Sequence, residues 1–229
     1  MLRASSDARA AWLPTDGWVL GVSAVALGAH LCNTAWRAVE VVYAASLVPL
    51  VILTVCARRD ATLRWALGFG TMTALLWAVV EGVWARIFGW WGTYDAAGPR
   101  LWDTPLYCLL VGAQASTHVT YIALRSLEFR ISRRLVAGLT GLHALGLATL
   151  GENLLVAAGM WSYRPWGSMW GAVPAFVVAS YATGYVAVPT LRGLTPARAA
   201  ALFSVLTFVI SVLFSLAVQF QGIAASIAR

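Results

Sequence analysis

No lysine occurs anywhere in the chain; all sixteen basic residues are arginine. A retinal protein needs a lysine amine for its Schiff base, so that class is excluded before any helix is counted. Acidic residues are scarce too, nine in 229 residues. Charged residues of both signs make up only 11% of the chain, where a soluble domain carries about 25%. The three cysteines, Cys32, Cys56 and Cys108, stand far apart in apolar segments without CxxC or histidine spacing. They read as small packing residues, which leaves neither a disulfide set nor a metal site. His30, His118 and His143 are isolated on three different apolar runs, and a hydrogen-bonded core role is expected of each. No P-loop, GxSxG, dinucleotide fingerprint or zinc motif is present. A DDxxD-type run that would hold magnesium and diphosphate is missing, as is a DxDD motif. No metal and no cofactor are therefore expected.

What the chain has in excess is apolar length. Hydrophobic residues are 60% of it and the mean hydropathy is +0.76, the composition of a protein with several membrane spans. The expected fold is all-α and integral to the membrane. Residues 1–16 read as a polar tail, without the pattern of a cleavable signal peptide, and 17–229 as one seven-helix domain. The seven expected spans cover 17–36, 39–57, 65–88, 105–124, 135–158, 172–191 and 199–223, each near the ~20 residues that cross the hydrocarbon core. The net charge of +7 tracks orientation and not nucleic acid, because the arginines cluster between apolar runs. One set of loops holds Arg3, Arg9, Arg58, Arg59, Arg64, Arg125, Arg130, Arg133, Arg134, Arg192 and Arg198; the other holds Arg37, Arg86, Arg100, Arg164 and Arg229. Eleven against five places the N-terminus in the cytoplasm and the C-terminus outside. The expected location is a bacterial inner membrane. Helices pair as 1–2, 3–4 and 5–6, with the seventh alone, in a parallel repeat.

The repeat is visible in two stretches. Residues 81–94 read EGVWARIFGWWGTY, and 152–163 read ENLLVAAGMWSY. In both, a carboxylate near the end of an apolar run is followed by a Gly-Trp or Gly-Met-Trp corner, a tyrosine and, further on, a proline (Pro105, Pro174). An ionisable residue inside a hydrophobic helix is costly to keep and by default marks a functional site. Helix 1 ends in a degenerate third copy, HLCNTAWRAVEVVY, so Glu40, Glu81 and Glu152 are expected to converge on one side as the catalytic acids and bases. The alternative for each is a buried salt bridge with Arg37, Arg86 or Arg164. Asp7, Asp16, Asp60 and Glu128 lie in tails and turns and are expected to be solvated.

Aromatic residues supply the second signal. Of the twelve tryptophans, Trp84, Trp90, Trp91, Trp102, Trp161, Trp166 and Trp170 fall near one membrane face. An interfacial belt explains such residues one at a time, but it enriches both faces. A one-sided excess suits a cavity whose ring faces stabilise a cation. Acids beside aromatic walls fit carbocation chemistry on an isoprenoid: the acid starts the cation, the rings carry it and dry walls delay quenching. The expected substrate-binding set is Asn33, Trp36, Tyr43, Trp84, Trp91, Tyr94, Asp103, Asn153, Trp161 and Tyr163.

At 33–43, NTAWRAVEVVY, the chain resembles the small seven-span terpene cyclases of fungal meroterpenoid and indole-diterpene pathways, whose bacterial relatives cyclise prenylated indoles. Those carry Asn-x-x-Trp-Glu-x-x-Tyr at the corresponding helix boundary. The resemblance implies a metal-independent cyclase of lipophilic isoprenoid or prenylated substrates, with Asn33, Trp36, Glu40 and Tyr43 matching the pattern. Arg37 stands where the family's glutamate follows the tryptophan, and the last helix lacks the family's acidic residue; Gln219 and Gln221 are its strongly polar side chains. The architecture also resembles membrane lycopene cyclases, whose proline-rich paired-glutamate motif is absent. A lipid-binding or transport protein that uses the same acidic, aromatic cavity is the rival from another class. No nucleic-acid partner is expected.

Overall fold

The computed structural model describes residues 11–88, 92–164 and 168–227, with side chains at all of these but 84–88 and 219–227. The described chain is helical throughout except for six very short strands. In order the elements are α1 (Pro14–Trp36), α2 (Val39–Ala57), α3 (Ala61–Phe88), β1 (Gly92–Tyr94), β2 (Arg100–Leu101), β3 (Thr104–Pro105) and α4 (Leu106–Glu128). Then follow α5 (Arg133–Ala157), β4 (Trp161–Tyr163), β5 (Met169–Trp170), β6 (Val173–Pro174), α6 (Ala175–Tyr185), α7 (Val188–Leu191) and α8 (Pro196–Ile227).

Helix starts follow local chemistry. Pro14 opens α1, and the Leu13 amide donates to Asp16 Oδ2 at 2.7 Å. Asp60 caps α3 by accepting from the Leu63 amide at 2.9 Å. Between α1 and α2 the chain turns in two residues. Arg37 takes the left-handed conformation (φ 54°), and Asn33 Oδ1 accepts the Ala38 amide at 2.9 Å.

Among the described residues five helices are long and apolar enough to cross a membrane: α1, α2, α5, and the stretches Ala61–Val83 of α3 and Pro196–Val218 of α8. Two expected spans depart from that standard. α4 has the length but carries Gln114, Ser116, Thr117, His118, Thr120 and Arg125 as buried residues. It can do so because it is the central helix, packed against α2, α3 and α5 rather than facing outward. α6 ends after only 11 residues. Pro189, four residues beyond Tyr185, cannot donate to the Tyr185 carbonyl and its ring crowds it, so the helix breaks and resumes as the single turn α7.

α3 meets α4 almost backbone to backbone. A methyl on Gly70 would come within 2.7 Å of the Ala113 carbonyl oxygen, and on the next turn Gly112 faces Ala74. At one end of the bundle α1, α3, α4 and the residue that ends α7, Arg192, are joined by an ion cluster. Arg125 donates from Nε to Asp16 Oδ1 (2.8 Å) and from Nη2 to Asp16 Oδ2 (2.9 Å), and it also pairs with Glu128. Tyr121 donates to Asp16 (2.8 Å) and Asp60 (3.1 Å), and Thr62 and Arg192 reach Glu128. Asp16 and Asp60 are therefore buried, at 5% and 7% exposure, where solvated turns were expected.

The opposite end is closed by the strands. β1 and β4 pair antiparallel, with Thr93 opposite Ser162, Gly92 opposite Tyr163 and Tyr94 opposite Trp161. The two hairpins β2–β3 and β5–β6 stand at a constant offset, 100 to 169 and 104 to 173. Each is locked to the following helix in the same way: the Leu106 amide donates to the Pro99 carbonyl and the Ala175 amide to that of Ser168, both at 2.8 Å. The two repeated stretches thus form one lid across the helix ends. Gly92 is required there, because a methyl would strike the Ser162 carbonyl oxygen and sit 3.3 Å from the Tyr163 Cα. Gly92→Ala is expected to destabilise the protein by about 1–3 kcal/mol through overpacking. A lowered thermal unfolding midpoint in detergent would register it; an unchanged midpoint would mean that the strands are free to separate.

Candidate functional site

Beneath the lid lies a cavity of about 190 Å³ walled by α3, α4, α5, α6 and one turn of α8. Glu81 and Glu152 both line it, near its lid end. Each is held from above by the tyrosine of its own repeat. Tyr94 on β1 donates to Glu81 Oε2 at 2.7 Å, and Tyr163 on β4 donates to Glu152 Oε2 at 2.9 Å. Burial pushes both phenols well above their ordinary titration range, and the adjacent carboxyl groups push them further. Both tyrosines therefore stay protonated and act as donors at any working pH.

The two carboxyl groups are otherwise unequal. Glu81 also accepts from Thr104 Oγ1 on Oε2 (2.6 Å) and from Trp77 Nε1 on Oε1 (2.8 Å), so both of its oxygens are occupied. On Glu152, Oε2 takes the Trp161 indole N–H (3.1 Å) besides Tyr163. Its Oε1 accepts no hydrogen bond among the described residues. The repeat explains the difference: Trp77 stands one turn before Glu81 and fills its Oε1, whereas Ala148 stands one turn before Glu152 and offers no donor. Neither glutamate has an ion-pair partner among the described side chains, which removes Arg37 and Arg164 as partners; the Arg86 side chain lies outside them.

Aromatic rings continue the wall. Tyr94 meets Trp161 edge-on at 6.0 Å, Trp161 stacks on Tyr107 at 6.3 Å, and Tyr107 meets Tyr43 edge-on. Trp77 and Tyr181 lie 5.6 Å apart across the cavity's other side. Behind that pair a side pocket of about 20 Å³ opens between α3, α6 and α8.

Of the residues expected at the site, the cavity brings together Glu81, Glu152, Tyr94, Trp161 and Tyr163. Tyr43 is off the cavity: it meets Tyr107, which in turn stacks on the lining Trp161. Glu40 does not join it: it is exposed at the start of α2, because the two-residue turn after α1 has no hairpin to fold the helix end inward. Trp36 is 66% exposed, and Asn33 serves as the cap of the α1–α2 turn. Asn153 ties α5 to the β5–β6 turn by donating to the Trp170 carbonyl (3.1 Å) and accepting the Ala172 amide (2.8 Å). Asp103 sits half-buried in the β2–β3 turn near Gly82, off the cavity. Trp91 and the Trp84 side chain lie outside the described residues, as do Trp90 and Trp166.

Sequence reasoning missed Trp77, Thr104, Tyr181 and Tyr185. Trp77 had a signal, since it precedes Glu81 by one helical turn; the others are placed only by the tertiary fold. No group of three or more His, Cys, Asp or Glu side chains able to hold a metal occurs among the described residues. No protein-family model matches the chain, and no curated protein or solved structure matches it.

Proposed function

We propose that this protein is a membrane-embedded, metal-independent terpene cyclase that isomerises a lipophilic isoprenoid by proton-initiated ring closure. The chain crosses the bilayer seven times, with α4 and the broken α6–α7 segment completing the count, and its arginine imbalance sets the N-terminus in the cytoplasm. One observation carries the reading: two glutamates of a repeated motif face a single apolar cavity, each anchored by a lid tyrosine, and one has an oxygen that accepts no hydrogen bond among the described residues.

In this mechanism Glu152, protonated on Oε1, gives its proton to a terminal alkene carbon or an epoxide oxygen. Tyr163 and Trp161 fix the other oxygen and take up charge as the carboxylate forms. The cation closes a ring by attack of an internal alkene, while the faces of Trp161, Tyr94 and Tyr181 stabilise it. A neighbouring carbon then loses a proton to a carboxylate of the pair, so one proton enters, one leaves, and the product is an isomer of the substrate. The lid strands keep water from the cation.

The test uses purified protein in detergent with farnesyl and geranylgeranyl compounds, plain, epoxidised and indole-linked, in deuterated water. A product isomer carrying one deuterium on carbon is expected for an alkene substrate; for an epoxide the added deuteron sits on oxygen and exchanges. Intact protein that binds members of the panel saturably and returns them unchanged would replace the cyclase by the binding or transport reading.

A further inference from the structure

The deep end of the cavity carries polar atoms that the carboxylate chemistry does not use. Thr73 on α3 lines it, is 5% exposed, and its hydroxyl has no hydrogen-bond partner among the described residues. Several buried helical hydroxyls satisfy themselves on the carbonyl one turn back, as Thr117 does on Ala113, Thr140 on Val136 and Ser180 on Phe176, all at 2.7 Å. Ser46, Thr120, Ser204 and Thr207 share the unpaired state of Thr73, but none of them lines the cavity. Ser116 on α4 and Tyr185 on α6 also line the cavity and bond each other at 2.5 Å. In a pair of hydroxyls one proton is shared and the accepting group keeps its own, so the pair has a second donor to offer.

These groups lie within about one helical turn of each other in depth. α3 and α4 run antiparallel with Gly70 against Ala113 and Thr117, and Ala74 against Gly112, which sets Ser116 about one turn deeper than Thr73. Thr73 precedes Glu81 by eight residues of helix, a rise of about 12 Å. Between floor and lid the walls are apolar, with Leu147, Leu155 and Val177 among them. A buried donor left unpaired is costly to keep, so Thr73, with the second proton of the Ser116–Tyr185 pair near it, at the bottom of an apolar cavity calls for an acceptor.

We propose that the floor formed by Thr73, Ser116 and Tyr185 is an oxygen-binding subsite that holds a hydroxyl or carbonyl oxygen at one end of the ligand while its far end reaches Glu152. The substrate class narrows accordingly to an isoprenoid oxygenated at the end remote from protonation, and pure hydrocarbons become poor ligands. This inference rests on the cyclase reading for the direction of the chain, but not for the existence of the subsite.

The experiment compares farnesol with the hydrocarbon farnesene. Each is titrated against the full chain in detergent, with affinity read from the shift of the thermal unfolding midpoint. The ratio of the two dissociation constants, compared across variants, cancels their unequal partition into detergent. In Thr73→Val/Ser116→Ala the ratio is expected to move about tenfold against farnesol, the effect of one or two hydrogen bonds lost. Farnesene affinity should be unchanged. Should that variant fail to fold, Tyr185→Phe is expected to move the ratio in the same direction. In Glu152→Gln the ratio should stay at the wild-type value. A ratio unmoved by the floor variants, or one abolished by Glu152→Gln, overturns the proposal, since the oxygen would then sit elsewhere or at the lid. Loss of the farnesol advantage in the floor variants, together with no cyclised product from any probe, would keep the subsite and remove the cyclase. Cyclised product with an unmoved ratio would do the reverse.

Discussion

If the protein is the proposed cyclase, Glu152→Gln is expected to cut turnover sharply while leaving a folded protein in the membrane. The side chain keeps its shape, and its carbonyl oxygen can take the Oε2 position, where it accepts from Tyr163 and Trp161 as the carboxyl group did. The amide nitrogen then falls at the Oε1 position, to which no described residue donates, so no donor is set against another donor. What disappears is the transferable proton, and the rate should fall by a factor of about 100 to 10,000, the range for a positioned general acid. Deuterium incorporation into product, measured by mass spectrometry beside an unfolding midpoint equal to wild type, gives the result. Full activity in this variant would end the assignment of Glu152 as the acid.

The same substitution at Glu81 has a different outcome, and the contrast separates the two roles. Thr104 and Tyr94 donate to one oxygen and Trp77 to the other. An amide can serve only one side, so at least one of those N–H or O–H groups must face an NH₂. A buried donor deprived of its acceptor costs about 1–3 kcal/mol, and Glu81→Gln should lower the unfolding midpoint as well as the rate. The proposal accordingly makes Glu81 the fixed anchor of the lid and Glu152 the proton donor. A wild-type midpoint in Glu81→Gln would contradict the threefold hydrogen bonding on which the distinction rests.

The paired carboxylates were legible in the sequence because ionisable groups at the ends of apolar runs have so few reasons to persist. The tyrosines that hold them were legible too, since Tyr94 and Tyr163 recur at the same place in the motif. Which glutamate is the donor depends on Trp77, which fills the second oxygen of Glu81 where Ala148 stands one turn before Glu152; the Thr104 bond was not legible, because strands only two residues long return that residue over the end of α3. The third copy misled for a related reason. HLCNTAWRAVEVVY has the carboxylate, tryptophan and tyrosine but no hairpin, and without that fold-back Glu40 stays exposed at a helix start. The break after α6 could be anticipated from Pro189, whereas an unbroken run over 172–191 follows from hydropathy alone. The polarity of α4 needs the tertiary structure to be understood: a central helix surrounded by others can bury hydroxyls and an arginine that a lipid-facing helix could not. Burial of Asp16 was hidden by distance along the chain, since its cation, Arg125, lies 109 residues away.

That pair sets the largest stability effect expected of any single substitution. Arg125→Ala should cost about 3–5 kcal/mol, the penalty for leaving a buried charge without its partner. Both side chains are only 7% exposed, and the guanidinium makes two parallel bonds to Asp16, a third contact to Glu128 and a fourth to the Ala11 carbonyl. After truncation Asp16 would keep the Tyr121 hydroxyl and the Leu13 amide as donors but no countercharge, and the tie of α1 to α4 would lose its ionic part. Arg192 offers the control. It reaches the same Glu128 but is 44% exposed, and Arg192→Ala should change stability by no more than about 1 kcal/mol, as solvent-exposed pairs do. Thermal or denaturant unfolding in detergent would rank the two. Removing both members, in Asp16→Asn/Arg125→Met, should cost less than Arg125→Ala alone, because the damage lies in the orphaned carboxylate and not in the missing attraction. Equal losses for Arg125→Ala and Arg192→Ala would mean that water reaches the cluster, and that the end of the bundle opposite the cavity is not the clamp described here.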